Sequence, residues 1–188
     1  MKKLLLAGLM LCLCANAHAA DVAWVKVADS VFLGRHDLRL NGAGVRSKFF
    51  LDLYIAALYL VEKKSTAAEV FADEGEKRMA LHLMRDISGD HLLNAFNKAI
   101  TDNHTPAELA GLDASIKQFS AIFTAMNEVK KGDIITLDYQ PGRGTQVNVN
   151  GELKGTIAGA AFNTALLKIW LGDKPAQDDL KLKLLGQQ

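Results

Sequence analysis

One cation, Arg46, lies between a glycine-rich segment and a long apolar run, and this position suits the binding of an acidic, apolar ligand. Gly42-Ala43-Gly44-Val45 precedes it, which predicts a turn, and residues 49–61 are almost wholly apolar. A guanidinium keeps its charge at ordinary pH and offers a planar fork of donors to a carboxylate or enolate, while apolar neighbours accept a hydrocarbon body. The competing interpretation is a surface or structural arginine, and Arg46 alone does not decide between the two.

Other combinations of residues indicate little chemistry. His82, His91 and His104 are too scattered for a recognised metal-ligand spacing, so we expect no metal site. No Ser/His/Asp signature is visible, and no feature indicates a cofactor. The glycine-rich segment lacks the rest of a dinucleotide fingerprint and precedes a predicted strand, where that motif needs a helix.

The first nineteen residues have the pattern of a cleavable secretory signal. Lys2 and Lys3 precede an apolar run over 4–14, and Ala17-His18-Ala19 supplies the small residues of a cleavage site, so cleavage is expected after Ala19. The apolar run is shorter than the roughly 20 residues that cross a bilayer, and no comparable run follows. We therefore predict a periplasmic protein without a transmembrane span, comprising a signal peptide over 1–19 and one domain over 20–188.

Composition limits the kind of partner. Cys12 and Cys14 both lie in the predicted leader, so the mature chain would have no thiol for a disulfide or a nucleophile. Loss of Lys2 and Lys3 leaves 20 basic and 21 acidic residues and changes the formal charge from +1 to −1. A near-neutral chain has no electrostatic footprint for nucleic acid.

Strand patterns come first along the chain and helical patterns interrupt them. Apolar and branched residues predict strands over 22–31, 38–45, 49–61 and 77–85, and then over 134–139, 145–149 and 153–157. The continuous apolarity of 49–61 predicts burial on both faces of that strand. Asn150-Gly151 is a strong hairpin signal because both residues tolerate positive φ.

Helical spacing occupies the remaining segments. Ser65 is the expected cap of a short helix ending near Phe71, and Ser88 the start of a long one ending before Asn103. Further helices are expected from Pro106 to about 126, over 160–171 and over 178–185. Strands interrupted by blocks of helices, without strict alternation, predict an α+β domain built on an antiparallel sheet.

Several segments in order resemble the chalcone isomerase-like superfamily, and its bacterial exported branch in particular. They are Gly42-Ala43-Gly44-Val45-Arg46, the run 53–60 with its two tyrosines, Lys131-Gly132-Asp133, Asn150-Gly151, and the helix ending at Gly172. The resemblance extends from about residue 32 to 185. It implies an open-faced β-sandwich, in which a large curved antiparallel sheet carries a layer of helices on one face and a ligand cleft lies between them.

The positions that assist catalysis in the true isomerases of this superfamily are mostly changed. Arg46 matches the arginine that holds the substrate's phenolate, whereas Tyr54 takes the place of a threonine. Leu92, Ala99 and Ile169 fall where the enzymes carry a tyrosine, an asparagine and a threonine. Loss of one preorganised donor costs about 3 kcal/mol, or about a hundredfold in rate. The resemblance therefore assigns no catalytic residue and favours a protein that is not an enzyme.

An arginine paired with a tyrosine resembles the fatty-acid-binding members of the superfamily. The resemblance implies that Arg46 and Tyr54 bind the head group of a fatty acid or similar amphipathic carboxylate, with Leu92, Ala99 and Ile169 lining the cleft. Two alternatives stay open. One is an isomerase or intramolecular lyase for an unidentified substrate, with Arg46 as electrophilic anchor. The other is a structural or interaction module whose cleft is filled by its own side chains.

Overall fold

The computed structural model describes residues 19–22 and 25–187, which form eleven strands and five helices. The strands are β1 (Ala19–Val22), β2 (Val25–Ala28), β3 (Ser30–Leu33), β4 (His36–Lys48), β5 (Leu51–Leu60), β6 (Lys77–Leu83), β7 (Ile87–Ser88), β8 (Glu128–Val129), β9 (Ile134–Gln140), β10 (Gly144–Val149) and β11 (Glu152–Ile157). The helices are α1 (Ala67–Ala72), α2 (Gly89–Asp102), α3 (Pro106–Ala125), α4 (Ala160–Leu171) and α5 (Asp178–Leu184).

A seven-stranded antiparallel sheet organises the chain. Its strand order is β11-β10-β9-β6-β5-β4-β3, and two small two-stranded sheets, β1-β2 and β7-β8, lie outside it. Helices α3, α4 and α5 contact β11, β10 and β4 respectively, and α2 packs against α3 and α4. The predicted α+β class, with a curved antiparallel sheet and a helical layer, is therefore confirmed.

The starts of the first three helices are fixed by side-chain capping interactions. Ser88 accepts the backbone N–H of His91 at the start of α2, and Thr105 forms a reciprocal capping box with Glu108 ahead of α3. The short helix α1 is capped by Thr66, with Glu69 completing the box, and not by Ser65 as expected. The strand predicted over 22–31 is in fact divided among β1, β2 and β3, and residues 23 and 24 of it lie outside the described part.

Strand β5 is buried on both faces, as its continuous apolarity predicts. Ala56, Leu58 and Leu60 belong to the large core cluster between sheet and helices. Ile55, Ala57 and Tyr59 belong to a second cluster on the opposite face, which includes Val27 of β2 and Leu38 of β4. The N-terminal strands therefore cover part of the face that the helices leave open.

The glycine-rich segment before Arg46 is not a turn but the middle of β4, so this expectation was wrong. A Cβ on Gly42 would lie 1.9 Å from the backbone oxygen of Lys183, and one on Gly44 would lie 3.0 Å from a methyl group of Leu180. Both of these neighbours belong to α5. The glycines thus remove side chains where a helix packs directly on the strand.

The turn between β4 and β5 is formed by Phe49 and Phe50, whose φ angles are +49° and +62°. Lys48 pairs with Leu51, so these two residues make a two-residue hairpin loop of the kind that favours Asn-Gly. The predicted burial of 49–61 is wrong at its beginning, because Phe49 is 82% exposed and Phe50 is fully exposed. A bulky residue held at positive φ is destabilised by about 1–2 kcal/mol through steric strain.

Two expectations about membranes and export have different outcomes. Within the part of the chain that the structure describes, no helix is long and apolar enough to cross a bilayer. Residues 1–18 of the predicted leader lie outside the described residues, so the leader and export stay predictions.

Replacement of Gly42 by alanine tests the contact between α5 and β4. The new methyl group collides with backbone rather than with a flexible side chain, so we expect Gly42→Ala to reduce the free energy of unfolding by about 1–3 kcal/mol. Gly111→Ala is the matched control, because a Cβ there meets nothing within 4 Å in the exposed interior of α3. That control should instead stabilise the protein by about 0.5–1 kcal/mol. Urea unfolding measures the free energy of unfolding of both variants. Equal changes in the two would contradict close packing of α5 on Gly42.

Candidate functional site

Arg46 and Tyr54 are directly opposite each other on neighbouring strands. They are cross-strand partners in the β4-β5 register, so their side chains leave the sheet on the same face. Tyr54 packs against the core cluster under the helices, which identifies this face as the helical one. The two residues assigned to the head group from the resemblance are therefore brought together at the edge of the helical layer.

The guanidinium of Arg46 is positioned by Gln177, the residue immediately before α5. Nη1 of Arg46 donates to Oε1 of Gln177 at 3.0 Å and also to the backbone oxygen of Ser47. The same Oε1 accepts the backbone N–H of Ser47 at 2.9 Å. Gln177 thus connects the start of α5 to β4 at a point where the β4-β5 register shifts between Arg46 and Ser47.

Arg46 is half-buried, and no carboxylate lies within 4.0 Å of its guanidinium in the described residues. Arg78 is a useful contrast, because its Nε and Nη2 donate to the two carboxylate oxygens of Asp138 at 2.5 and 2.7 Å. That bidentate pair joins β6 to β9 and satisfies both charges. The charge of Arg46 is held by neutral partners instead, which leaves it available to an anion.

The phenol of Tyr54 is held by a hydrogen bond from α4. Nε1 of Trp170 donates to the Tyr54 hydroxyl at 3.1 Å, and among the described residues this hydroxyl has no recorded acceptor for its own proton. Burial raises the pKa of Tyr54 above its ordinary value of 10.0, although the Trp170 bond and the Arg46 charge each lower it in part. The phenol therefore stays neutral near pH 7 and is suited to donate a hydrogen bond.

The three predicted cleft residues lie in the helices that cover this face. Leu92 and Ala99 are half-buried residues of α2. They pack against the same core cluster as Tyr54. Ile169 is buried in α4, next to Trp170 in the chain. Their apolar side chains share the space between sheet and helices, but none can donate a hydrogen bond to a reacting group.

Two other features of the helical layer are chemically weaker. Among the described residues, no group of three or more His, Cys, Asp or Glu side chains could hold a metal ion. An open groove of about 400 Å³ lies between the start of α3 and α4, lined by His104, Glu108, Lys168 and small or apolar side chains. The side chain of Lys168 is 3.5 Å from that of Glu108, so the groove's charges largely compensate each other.

Trp170 and Gln177 are the site residues that sequence reasoning missed. Trp170 lies inside the helix used for the resemblance, but its apolar neighbours indicate a core residue and not a donor to Tyr54. Gln177 lies in a loop whose return to β4 depends on the packing of α5. Its role carries no local signal, because the two contacting residues are about 130 positions apart.

Comparisons with known proteins agree with this fold. A model of the chalcone isomerase-like family matches residues 19–186. The chain belongs to that family. Its fold is similar to the crystal structure of a fatty-acid binding protein from Arabidopsis thaliana (AtFAP1), with a TM-score of 0.64 and 17% identity over 86% of this chain and 91% of that one. No curated protein sequence matches the chain.

Family membership confirms the predicted architecture and the resemblance on which it was based. At 17% identity the structural likeness extends to the fold, while the chemistry depends on the residues in place. Those residues offer one uncompensated cation, one neutral phenolic donor and an adjoining apolar layer. This chalcone isomerase-like site is equipped to bind an anion that has an apolar body.

A double-mutant cycle tests the contact between Trp170 and Tyr54. Tyr54→Phe removes the acceptor of a buried indole N–H, so we expect it to reduce the free energy of unfolding by about 1–3 kcal/mol. Trp170→Phe also creates a cavity, but the coupling between the two changes isolates the hydrogen bond and should be about 1 kcal/mol. Urea unfolding of the four proteins measures it. A coupling of zero would mean that the bond contributes nothing to stability.

Proposed function

We propose that this chalcone isomerase-like protein binds a fatty acid or a similar amphipathic carboxylate, with the head group on Arg46 and Tyr54. The observation that carries the proposal is a half-buried arginine opposite a tyrosine, where the described residues offer neither a carboxylate to the arginine nor an acceptor to the tyrosine's proton. A carboxylate supplies two oxygens, one for the guanidinium and one for the phenol.

The electrostatics of the pair favour binding over catalysis. Guanidinium groups are cations at ordinary pH, and the raised pKa of Tyr54 keeps its phenol protonated. A general base would need a pKa near the operating pH, so Tyr54 is better suited to donate than to remove a proton. The Arabidopsis structure that shares the fold is described as a fatty-acid binding protein, which supports the same class of ligand.

The apolar body of the ligand lies between the sheet and the helices in this proposal. Helix α4 has eight buried residues and is fixed in the core, whereas α2 has three, namely Gly89, Phe96 and Ile100. Leu92 and Ala99 of α2 keep part of their surface exposed. Entry of a hydrocarbon tail is therefore easiest beneath α2, which loses fewer buried contacts when it moves.

Export through the predicted leader is part of the proposal and has its own check. The residues before Ala20 have the charge and apolar pattern of a signal peptide, and a carrier of amphipathic acids in the periplasm would need such a leader. Intact-mass measurement of protein recovered from the periplasm of a bacterial host should give a chain that begins at Ala20. Recovery only from the cytoplasm with residues 1–19 retained would contradict export.

Arg46→Gln tests the head-group contact. Loss of a charge-assisted hydrogen bond costs about 1.5–3 kcal/mol, so the affinity for added fatty acid should fall by about tenfold or more. Titration of delipidated protein with palmitate measures the affinity, and native mass spectrometry with denaturing extraction identifies any acid that copurifies. Such an acid should be present in the wild type and depleted in the variant.

Arg39→Gln is the matched control, because it removes the same charge from an exposed position of the same strand. It should leave the affinity unchanged. A wild-type protein that carries no acid and takes up none when it is offered would overturn the proposal. Turnover of a small-molecule substrate without stoichiometric bound acid would support the isomerase alternative.

Ala99→Leu tests the position of the tail separately from that of the head group. The larger side chain takes up space beneath α2, so palmitate should bind more weakly by about tenfold, while octanoate, with its shorter tail, should keep its affinity. Arg46→Gln should weaken both acids to a similar extent because both have the same carboxylate. Equal loss of both acids in Ala99→Leu would indicate that the variant disturbs the head-group site, and no loss would place the tail elsewhere.

A further inference from the structure

The turn between β4 and β5 combines exposure, strain and apolar character in a way that folding does not require. Phe49 is 82% exposed, Phe50 is fully exposed and Leu51 is half exposed. We call residues 48–51 the hairpin tip. Both phenylalanines also have positive φ, which bulky side chains rarely adopt.

A second two-residue hairpin in the same chain provides a comparison. The hairpin between β10 and β11 is also closed by two residues, Asn150 and Gly151, whose φ angles are +52° and +81°. Asn and Gly are the residues that such a turn favours. Phe49 and Phe50 have the same positive sign of φ, but their side chains add strain and exposed apolar surface, so a role outside folding accounts for them better.

The hairpin tip projects beyond the neighbouring strands. Pairing of β5 with β6 begins at Tyr54, and β3 pairs with β4 only over Arg39 to His36, at the other end of the strand. Residues 47–52 are therefore paired only with each other in the sheet. A convex, projecting apolar group can enter a fluid layer without a matching groove, whereas a protein partner would have to provide one.

The charge beside the tip suits a lipid surface. The Lys48 ammonium lies 5.5 Å from the centre of the Phe49 ring, so a cation and an aromatic side chain occupy the same end of the hairpin. Long basic side chains place their stems on apolar surface and their charges among head groups, where aromatic rings also accumulate. Asp52, the nearby acid, is bonded to the Ser47 hydroxyl at 2.6 Å.

We propose that the hairpin tip, Lys48 to Leu51 with Phe49 and Phe50 at its apex, inserts into the interfacial layer of a phospholipid bilayer. The insertion is shallow and reversible, because three apolar side chains supply far less buried surface than a spanning helix. Arg46 is three residues before Phe49, about 10 Å along an extended strand. Docking by the tip therefore brings the Arg46 and Tyr54 pair to the level of the head groups, where an amphipathic acid would enter or leave.

The test compares flotation with vesicles of phosphatidylethanolamine and phosphatidylglycerol in equal parts. The full-length chain is expressed and purified as the cell processes it, and intact mass confirms the same N-terminus in every protein. The test variant is Phe49→Asn with Phe50→Gly, which gives the tip the residues found at Asn150 and Gly151. Phe32→Ser is the control, because it removes a phenylalanine that is 70% exposed on β3, at the opposite end of β4.

The proposal predicts that the wild type and Phe32→Ser float with the vesicles and that the tip variant partitions about tenfold or more weakly. Relief of the strained turn should at the same time raise the melting temperature of the tip variant by about 4 °C or more, which shows that it is folded. Lys48→Gln should weaken flotation with these anionic vesicles more than with phosphatidylcholine alone.

Three results would overturn the proposal. They are a wild-type protein that does not float, a tip variant that floats equally well, and a wild-type dimer on size exclusion that the tip substitution makes monomeric. The last result would make the tip a contact between two copies of this chain. Fatty-acid binding in solution should be unaffected by the tip variant, because Arg46 and Tyr54 are unchanged. The bilayer proposal and the proposed function can therefore fail independently.

Discussion

The close packing of α5 on β4 is the constraint on which the site depends. Gly42 and Gly44 allow the helix backbone to approach the strand, and Asn41 fixes the approach by donating to the Leu184 carbonyl at 2.7 Å. This contact brings Gln177, at the start of the helix, to the side chain of Arg46. A side chain at Gly42 would collide with the helix backbone, and a displaced α5 would draw Gln177 away from Arg46. The glycines therefore act on the site through the position of a helix.

Two arginines on the same sheet show how environment determines role. Arg78 makes a bidentate bond to Asp138, so its charge is satisfied and contributes to the joining of two strands. Arg46 is half-buried and bonded to an amide and a carbonyl, neither of which neutralises it. Partial burial strengthens the attraction of such a charge for an anion because solvent screens it less. One arginine therefore joins two strands, and the other is the cation on which the proposed head-group site depends.

The sequence predicted the features that depend on local chemistry. Ser88 and Pro106 mark the starts of α2 and α3, Asn150-Gly151 marks a hairpin through its backbone preference, and strand patterning predicts the antiparallel sheet. It failed where the fold overrides local preference. The glycines of β4 indicated a turn because packing of a distant helix has no local signal, and Phe49 appeared to be core because apolar residues usually are. Gln177 was also missed because its contact with Arg46 depends on the packing of a distant helix, which has no local signal.

The exposure of Phe49 and Phe50 is informative about function. Among the described residues, Phe49 and Phe50 are the bulky side chains that combine positive φ with full or nearly full exposure, and such exceptions to local preference concentrate at functional sites. The strain itself stabilises nothing in the fold, since Asn150 and Gly151 close an equivalent turn with favoured residues. The turn begins three residues after Arg46, just beyond the end of β4, so it lies beside the Arg46 and Tyr54 pair of the proposed head-group site. Because β4 leads directly from Arg46 into the tip, the proposed insertion of the tip would also determine how the Arg46 and Tyr54 pair faces the membrane surface.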